Sequence, residues 1–264
     1  MDTLAIFLAP GISLWIFSSL SFYHLLGLLG FLALVNAIVA SFFPLLSGKT
    51  ESKKFSLGQI KETFLSLKQD GYLLPLVFLF MALNFFIGGV EEIIYPGILL
   101  SHYQMEEKFL GFGLSCTSLG AIIAGLSLMK KSSEKNFSGA IFSYIKKNAY
   151  LMVLLGGISL LIANKAYYFL LFSLFQLLIG FFTSRVNIPL EVSFQKRVSL
   201  EEQGRFFSFL AFSSRVLVPL GILYSGFLVD QVGPGQTLML NNLCIIILVY
   251  IFGKRRVAEG LSKS

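Results

Sequence analysis

One arginine and two glutamates stand where the chain is otherwise apolar. Arg215 lies in a run from about Phe206 to Val229, and Glu91 and Glu92 lie in a run from about Leu73 to Ser101. A charge at the centre of a membrane-spanning helix costs about 2.5–3.5 kcal/mol on insertion scales, so such a residue faces the bundle interior or a wet cavity. Arg215 is about ten residues into its run, roughly 15 Å deep at the helical rise. A guanidinium there binds an anionic substrate, couples to a carboxylate, satisfies helix-end carbonyls, or snorkels toward the interface. Glu91 and Glu92 follow Gly88-Gly89 and precede Pro96-Gly97, a combination that breaks or kinks a helix where protein or water receives the freed backbone. A carboxylate at such a break is a candidate proton carrier or cation site. Counted from Leu74, Glu91 is some 26 Å along its helix and about 10 Å beyond the level of Arg215. Direct pairing of the two therefore needs a distorted helix, and charge in an outer vestibule is the plainer reading. Asn84, Gln176, Asn241 and Asn242 are amides inside apolar runs; they line a cavity or bridge helices, and spacing does not separate these roles.

Other residues suggest motion rather than binding. Pro10-Gly11, Pro96-Gly97 and Pro219 with Gly221 are candidate kinks or gates, although kinks serve packing equally well. Glu191, Arg197, Glu202 and Arg205 form a charged cluster that would exchange partners if two halves rocked, or would simply be solvated. Gly113, Thr117, Ala121 and Gly125 recur every fourth residue, which lets helices approach closely. Cys116 and Cys244 sit in apolar runs with no CxxC spacing, and His24 and His102 are the only histidines, so no metal site is expected. Paired Asp motifs, GxSxG with a matching histidine, and HExxH are all missing, so the expectation is no enzyme and no cofactor.

These residues must be positioned by membrane helices. Of 264 residues, 55% are hydrophobic and only 13% charged, against about 25% charged in soluble domains. A span needs about 20 apolar residues, and eight segments qualify: about 3–22, 25–46, 73–101, 109–129, 149–164, 166–184, 206–229 and 236–253. The expected fold class is an all-α membrane protein. The net charge of +7 does not point to nucleic acid, because the basic residues lie in short clusters between apolar runs. Alternate loops gather Lys49 to Lys68, Lys130 to Lys147, Arg185 to Arg205 and Lys254 to Lys263, whereas the opposite side receives Lys108 and Lys165. That bias places both termini in the cytoplasm. Three parts follow: two helices over 1–46, a cytoplasmic linker over 47–72, and a six-helix bundle with a cytoplasmic tail over 73–264. In the linker, Leu57, Ile60, Phe64 and Leu67 recur at helical spacing after a Ser56/Gln59 capping box. The segment reads as an amphipathic helix, lying on the membrane or packed on its own bundle.

The run Asn187-Ile188-Pro189, Gln195, Glu202-Gln203-Gly204-Arg205-Phe206-Phe207-Ser208, Pro219-Leu220-Gly221, Gly226, Asp230 and Gly233 resembles the major facilitator superfamily. It is most similar to the bacterial drug-exporter branch that includes macrolide-efflux-type permeases, in the loop between helices 10 and 11 and in helix 11. Ala9-Pro10-Gly11 resembles a reduced helix-5 antiporter motif, Leu32 to Ala40 resembles helix 6, and Gly111 to Gly125 resembles helix 8. The resemblance implies helices 5 to 12 of a major-facilitator-type bundle, about eight spans, with the first four helices lacking or supplied by a separate chain. It further implies proton-coupled export of amphipathic small molecules across a bacterial plasma membrane, with the lipid bilayer, a small-molecule substrate and a coupling proton as partners. A non-transporting membrane protein, a regulatory or assembly remnant or an inactive fragment, is the alternative.

Overall fold

The protein is described by a computed structural model over residues 22–42, 73–130, 137–198 and 200–254. The first expected span with Pro10 and Gly11, the linker at 47–72 and the end of the basic tail lie outside the described residues, as do the side chains of Arg197 and Glu202. The elements are helical: α1 (Phe22–Phe42), α2 (Leu73–Ile87), π-helical turns at Val90–Ile94 and Gly97–His102, α3 (Glu107–Lys130), α4 (Phe137–Leu161), α5 (Lys165–Arg197), α6 (Leu200–Val216), α7 (Val218–Val232) and α8 (Pro234–Lys254). Among the described residues, five stretches are long and apolar enough to cross a membrane: Leu74–His102, Glu107–Met129, Lys165–Lys196, Gln203–Val232 and Pro234–Phe252. Among the described residues 36 large hydrophobic side chains are exposed, Leu223 and Phe227 on α7 among them, so the outer surface suits lipid; the protein is a helical integral membrane protein.

Helix directions follow from paired residues. Thr117 bonds Gln176, and ten residues further along α3 Ser127 bonds Arg185, so α3 and α5 run parallel. Gly221 packs on the Phe85 backbone and Ser225 on Gly89, so α7 runs parallel to α2. Lys146 meets Tyr250, while Gly156 meets Met239, so α4 and α8 are antiparallel. Helix α4 thus returns the chain between the two parallel helices α3 and α5. Glycine permits the closest crossings: a Cβ at Gly180 would run into the Thr117 carbonyl, and one at Gly221 into that of Phe85. Two apolar cores result. One gathers Leu76, Leu79, Phe142, Leu190, Phe194, Phe206 and Val249. The other gathers Ile94, Tyr95, Ile98, Leu155, Tyr168, Phe172 and Leu238.

Three boundaries depart from the sequence reading. The expected polar loop after residue 184 is helix: α5 continues through Pro189 to Arg197, 33 residues or about 50 Å. Its end is closed by Gln203, whose Nε2 donates to the Gln195 and Val198 carbonyls at 2.9 and 3.2 Å, replacing helical donors. The expected single span over 206–229 begins earlier and breaks at Leu217, with Pro219 in the first turn of α7, where a missing N–H costs nothing. The fifth expected span, α4, begins at Phe137, before residue 149 and four residues before Ile141, the earlier start that the sequence also allows.

The third expected span is helical throughout but widens into π turns. Gly89 O accepts from both Ile93 N and Ile94 N at 3.0 Å, the step at which the hydrogen-bond ladder lengthens. Pro96 offers no N–H, which removes the α-helical partner of the Glu92 carbonyl.

Candidate functional site

Between the two apolar cores lies a cavity of about 250 Å³ that draws on four helices. Its polar lining is Asn84 from α2, Asn148 from α4, Thr183 and Asn187 from α5, and Asn242 from α8; Leu83, Ile145, Met152, Val186 and Ile245 supply apolar wall. Each amide is placed by a helix whose neighbouring turns are buried in one core or the other. Asn187 and Ile87 are exposed, so the cavity opens at the outside of the bundle.

The hydrogen bonds fix how these amides point. Asn84 Nδ2 donates to the Phe80 carbonyl and Asn242 Nδ2 to the Leu238 carbonyl, each at 2.8 Å and one turn back. A carbonyl only accepts, so nitrogen must be the atom turned to the helix, and each Oδ1 is left off that bond. Asn148 Nδ2 donates to Thr183 Oγ1 at 2.9 Å, while Asn148 Oδ1 is buried without a partner among the described residues. Flipping the amide would let the hydroxyl donate to Oδ1 but would orphan Nδ2 instead. One polar atom of Asn148 is unmatched either way, and a buried group of that kind calls for a water or a ligand atom.

The lining side chains are amides and one hydroxyl, without a charge. Such a site hydrogen-bonds a neutral solute; it has no general base and no nucleophile prepared by one. At about 250 Å³ it lies below the roughly 300–1,000 Å³ of drug-sized pockets. It suits a small solute or a few waters.

Of the residues singled out from the sequence, Asn84 and Asn242 line this cavity, whereas Gln176, Asn241, Glu91, Glu92 and Arg215 do not. Gln176 is buried near the other core, where its Oε1 accepts from Thr117. Asn241, adjacent to the lining Asn242, binds α8 to α2 and α7 through the Phe86 carbonyl at 3.1 Å and Ser225 Oγ at 3.3 Å. Glu91 and Glu92 are exposed on the first π turn, and Arg215 is exposed in the last turn of α6. Among the described residues the ion pair is Lys108–Glu106, so Arg215 pairs with neither glutamate. The reason is register. Gly221 is level with Phe85; Arg215 is six residues before the one and Glu91 six after the other, a separation of about 18 Å along the axes. Pro96 and Gly97 join the two π turns, and Pro219 with Gly221 follows the break at Leu217. Glu191 and Arg205 are both exposed.

Sequence reasoning missed Asn148, Thr183 and Asn187 as lining residues. Asn148 was hidden because Lys146-Lys147 marks the apolar run as beginning after it. The available signal was a small polar residue on each of four helices at comparable depth. Set against protein-family models, characterised proteins and solved structures, the chain matches none.

Proposed function

We propose that the chain is a transport polypeptide of the major facilitator type, exporting amphipathic small molecules from the bacterial cytoplasm by proton-coupled alternating access. The observation that carries this reading is a partial exchange relation among the helix pairs, to which the contact of α7 with α8 is an exception. Let α2, α3 and α4 change places with α5, the α6–α7 unit and α8. The parallel pair α2–α7 then becomes the parallel pair α5–α3, the pair α4–α5 becomes α8–α2, and α4–α8 maps onto itself. Side chains follow the same exchange: Asn148 of α4 donates to α5, and Asn241 of α8 donates to α2. Two triplets of crossing helices have opposite orientation because three is odd, and such inverted repeats are the building plan of many transporter bundles. On this reading α4 crosses as well, giving six spans after the linker, and the basic ends face the cytoplasm. Glu91 and Glu92 are the coupling carboxylates, and Arg215 borders the substrate path.

A second reading, a non-transporting membrane protein, draws on the small uncharged cavity and on α1, whose side chains are exposed along nearly their whole length. Accumulation of a lipophilic cationic dye in cells producing the full chain discriminates between the two. Export lowers accumulation, collapse of the proton gradient restores it, and the double substitution Glu91→Gln with Glu92→Gln abolishes the effect. Unchanged accumulation with membrane insertion verified would favour the non-transporting protein.

A further inference from the structure

The end of the bundle that carries the basic residues holds a group of cations set on aromatic rings. Arg185 on α5 donates from Nη2 to Ser127 Oγ on α3 at 2.7 Å, and its guanidinium lies 5.3 Å from the Phe181 ring and 6.0 Å from that of Tyr144. Lys147 Nζ on α4 lies 5.2 Å from the same Tyr144 ring and 5.8 Å from Phe182. Two positive charges from neighbouring helices thus share one aromatic ring. Alongside them Lys146 covers Tyr250 at 4.9 Å.

Their level in the membrane follows from helical rise. Arg185 is twenty residues beyond Lys165 in α5, and Ser127 is twenty beyond Glu107 in the parallel α3. Each interval is about 30 Å, the thickness of the hydrocarbon core. The cations therefore stand where lipid headgroups begin. Lys147 belongs to the antiparallel α4, and side chains lean toward a helix's N-terminus, which carries its ammonium toward the same boundary.

We propose that Lys147 and Arg185, steadied by Ser127 and Tyr144, bind the phosphate of an anionic phospholipid. Lys147 is exposed and has no carboxylate within ion-pair distance among the described residues. A phosphate beside the shared Tyr144 ring takes charge-assisted hydrogen bonds from both cations. A lipid fits better than free phosphate because an apolar track continues from Lys147. Tyr150, Leu154 and Leu161 lie three, seven and fourteen residues on, along the same side of α4, and all are exposed. That track is the length of helix an acyl chain would cover.

The test is native mass spectrometry of the purified full chain, from mixed micelles holding equal phosphatidylglycerol and phosphatidylcholine. Wild type is expected to retain phosphatidylglycerol preferentially. Lys147→Gln and Arg185→Gln should each reduce that preference about fivefold, and Lys147→Arg should keep it. If Arg185→Gln does not fold, the exposed Lys147→Gln carries the test. Equal retention of the two lipids by wild type, or undiminished preference in Lys147→Gln, overturns the proposal. Complete displacement of the lipid by excess glycerol phosphate also overturns it, since the site would then belong to a soluble phosphate.

Discussion

Asn148 and Thr183 form a hydrogen bond whose loss has an asymmetric cost. Thr183→Val removes the hydroxyl and leaves a buried amide with no partner, a loss of about 1–3 kcal/mol. Adding Asn148→Leu removes the orphan as well, so the double variant should unfold at a higher temperature than Thr183→Val alone. Thermal unfolding of the three purified proteins in one detergent checks the order. Arg215 gives a second prediction at this scale. An exposed arginine in the middle of a 30-residue apolar stretch requires water or a polar partner beside it. Arg215→Cys, with the native cysteines replaced, should react with a membrane-impermeant thiol reagent, whereas Leu223→Cys on the lipid-facing side of α7 should not. The arginine was legible in the sequence as a charge that must face something wet. The cavity was legible only in Asn84 and Asn242, because membership depended on which core each helix turned toward.

Elements were readable where composition and membrane thickness act together. Among the described residues each apolar run is helical, since lipid leaves the backbone no other way to satisfy its hydrogen bonds. Boundaries outside the membrane were not readable, because the thickness of the bilayer no longer constrains them. Helix α5 runs on through Ile188-Pro189 into Gln195-Lys196-Arg197, and what closes it, the Gln203 amide, comes from the next helix. Close crossings give the sharpest prediction for elements. Gly180→Ala would place a methyl against the Thr117 backbone and force α3 from α5, costing about 1–3 kcal/mol. Gly226→Ala meets nothing within 4 Å, and in a helix interior should stabilise by about 0.5–1 kcal/mol. Chemical unfolding of both variants should therefore move in opposite directions.

At the scale of the whole molecule, alternation of the basic clusters suggested the topology, and helix directions give it a geometric counterpart. The parallel pairs α2–α7 and α3–α5 require an odd number of crossings between their members. If the bundle spans the membrane, a reporter inserted at Gln104 and one inserted at 131–136 must therefore stand on opposite sides. A phosphatase active only outside the cytoplasm should be active at Gln104 and silent at 131–136; equal activity at both would remove α3 from the list of spans. Composition did not disclose the exchange relation between triplets, because it resides in which helices touch and not in any one helix.

The two π turns flanking Pro96 have a mechanical meaning. Each holds one residue more than an α-helix would fit in the same rise, a dislocation in an otherwise regular screw. Passing that surplus residue along by one step turns the side chains it crosses by about 100° while both ends of the helix keep their places. Glu91, Glu92 and Tyr95 lie on the first turn or beside it. A carboxylate here would change the surface it faces by rotation of a few residues, with neither tilt nor translation of the helix that carries it.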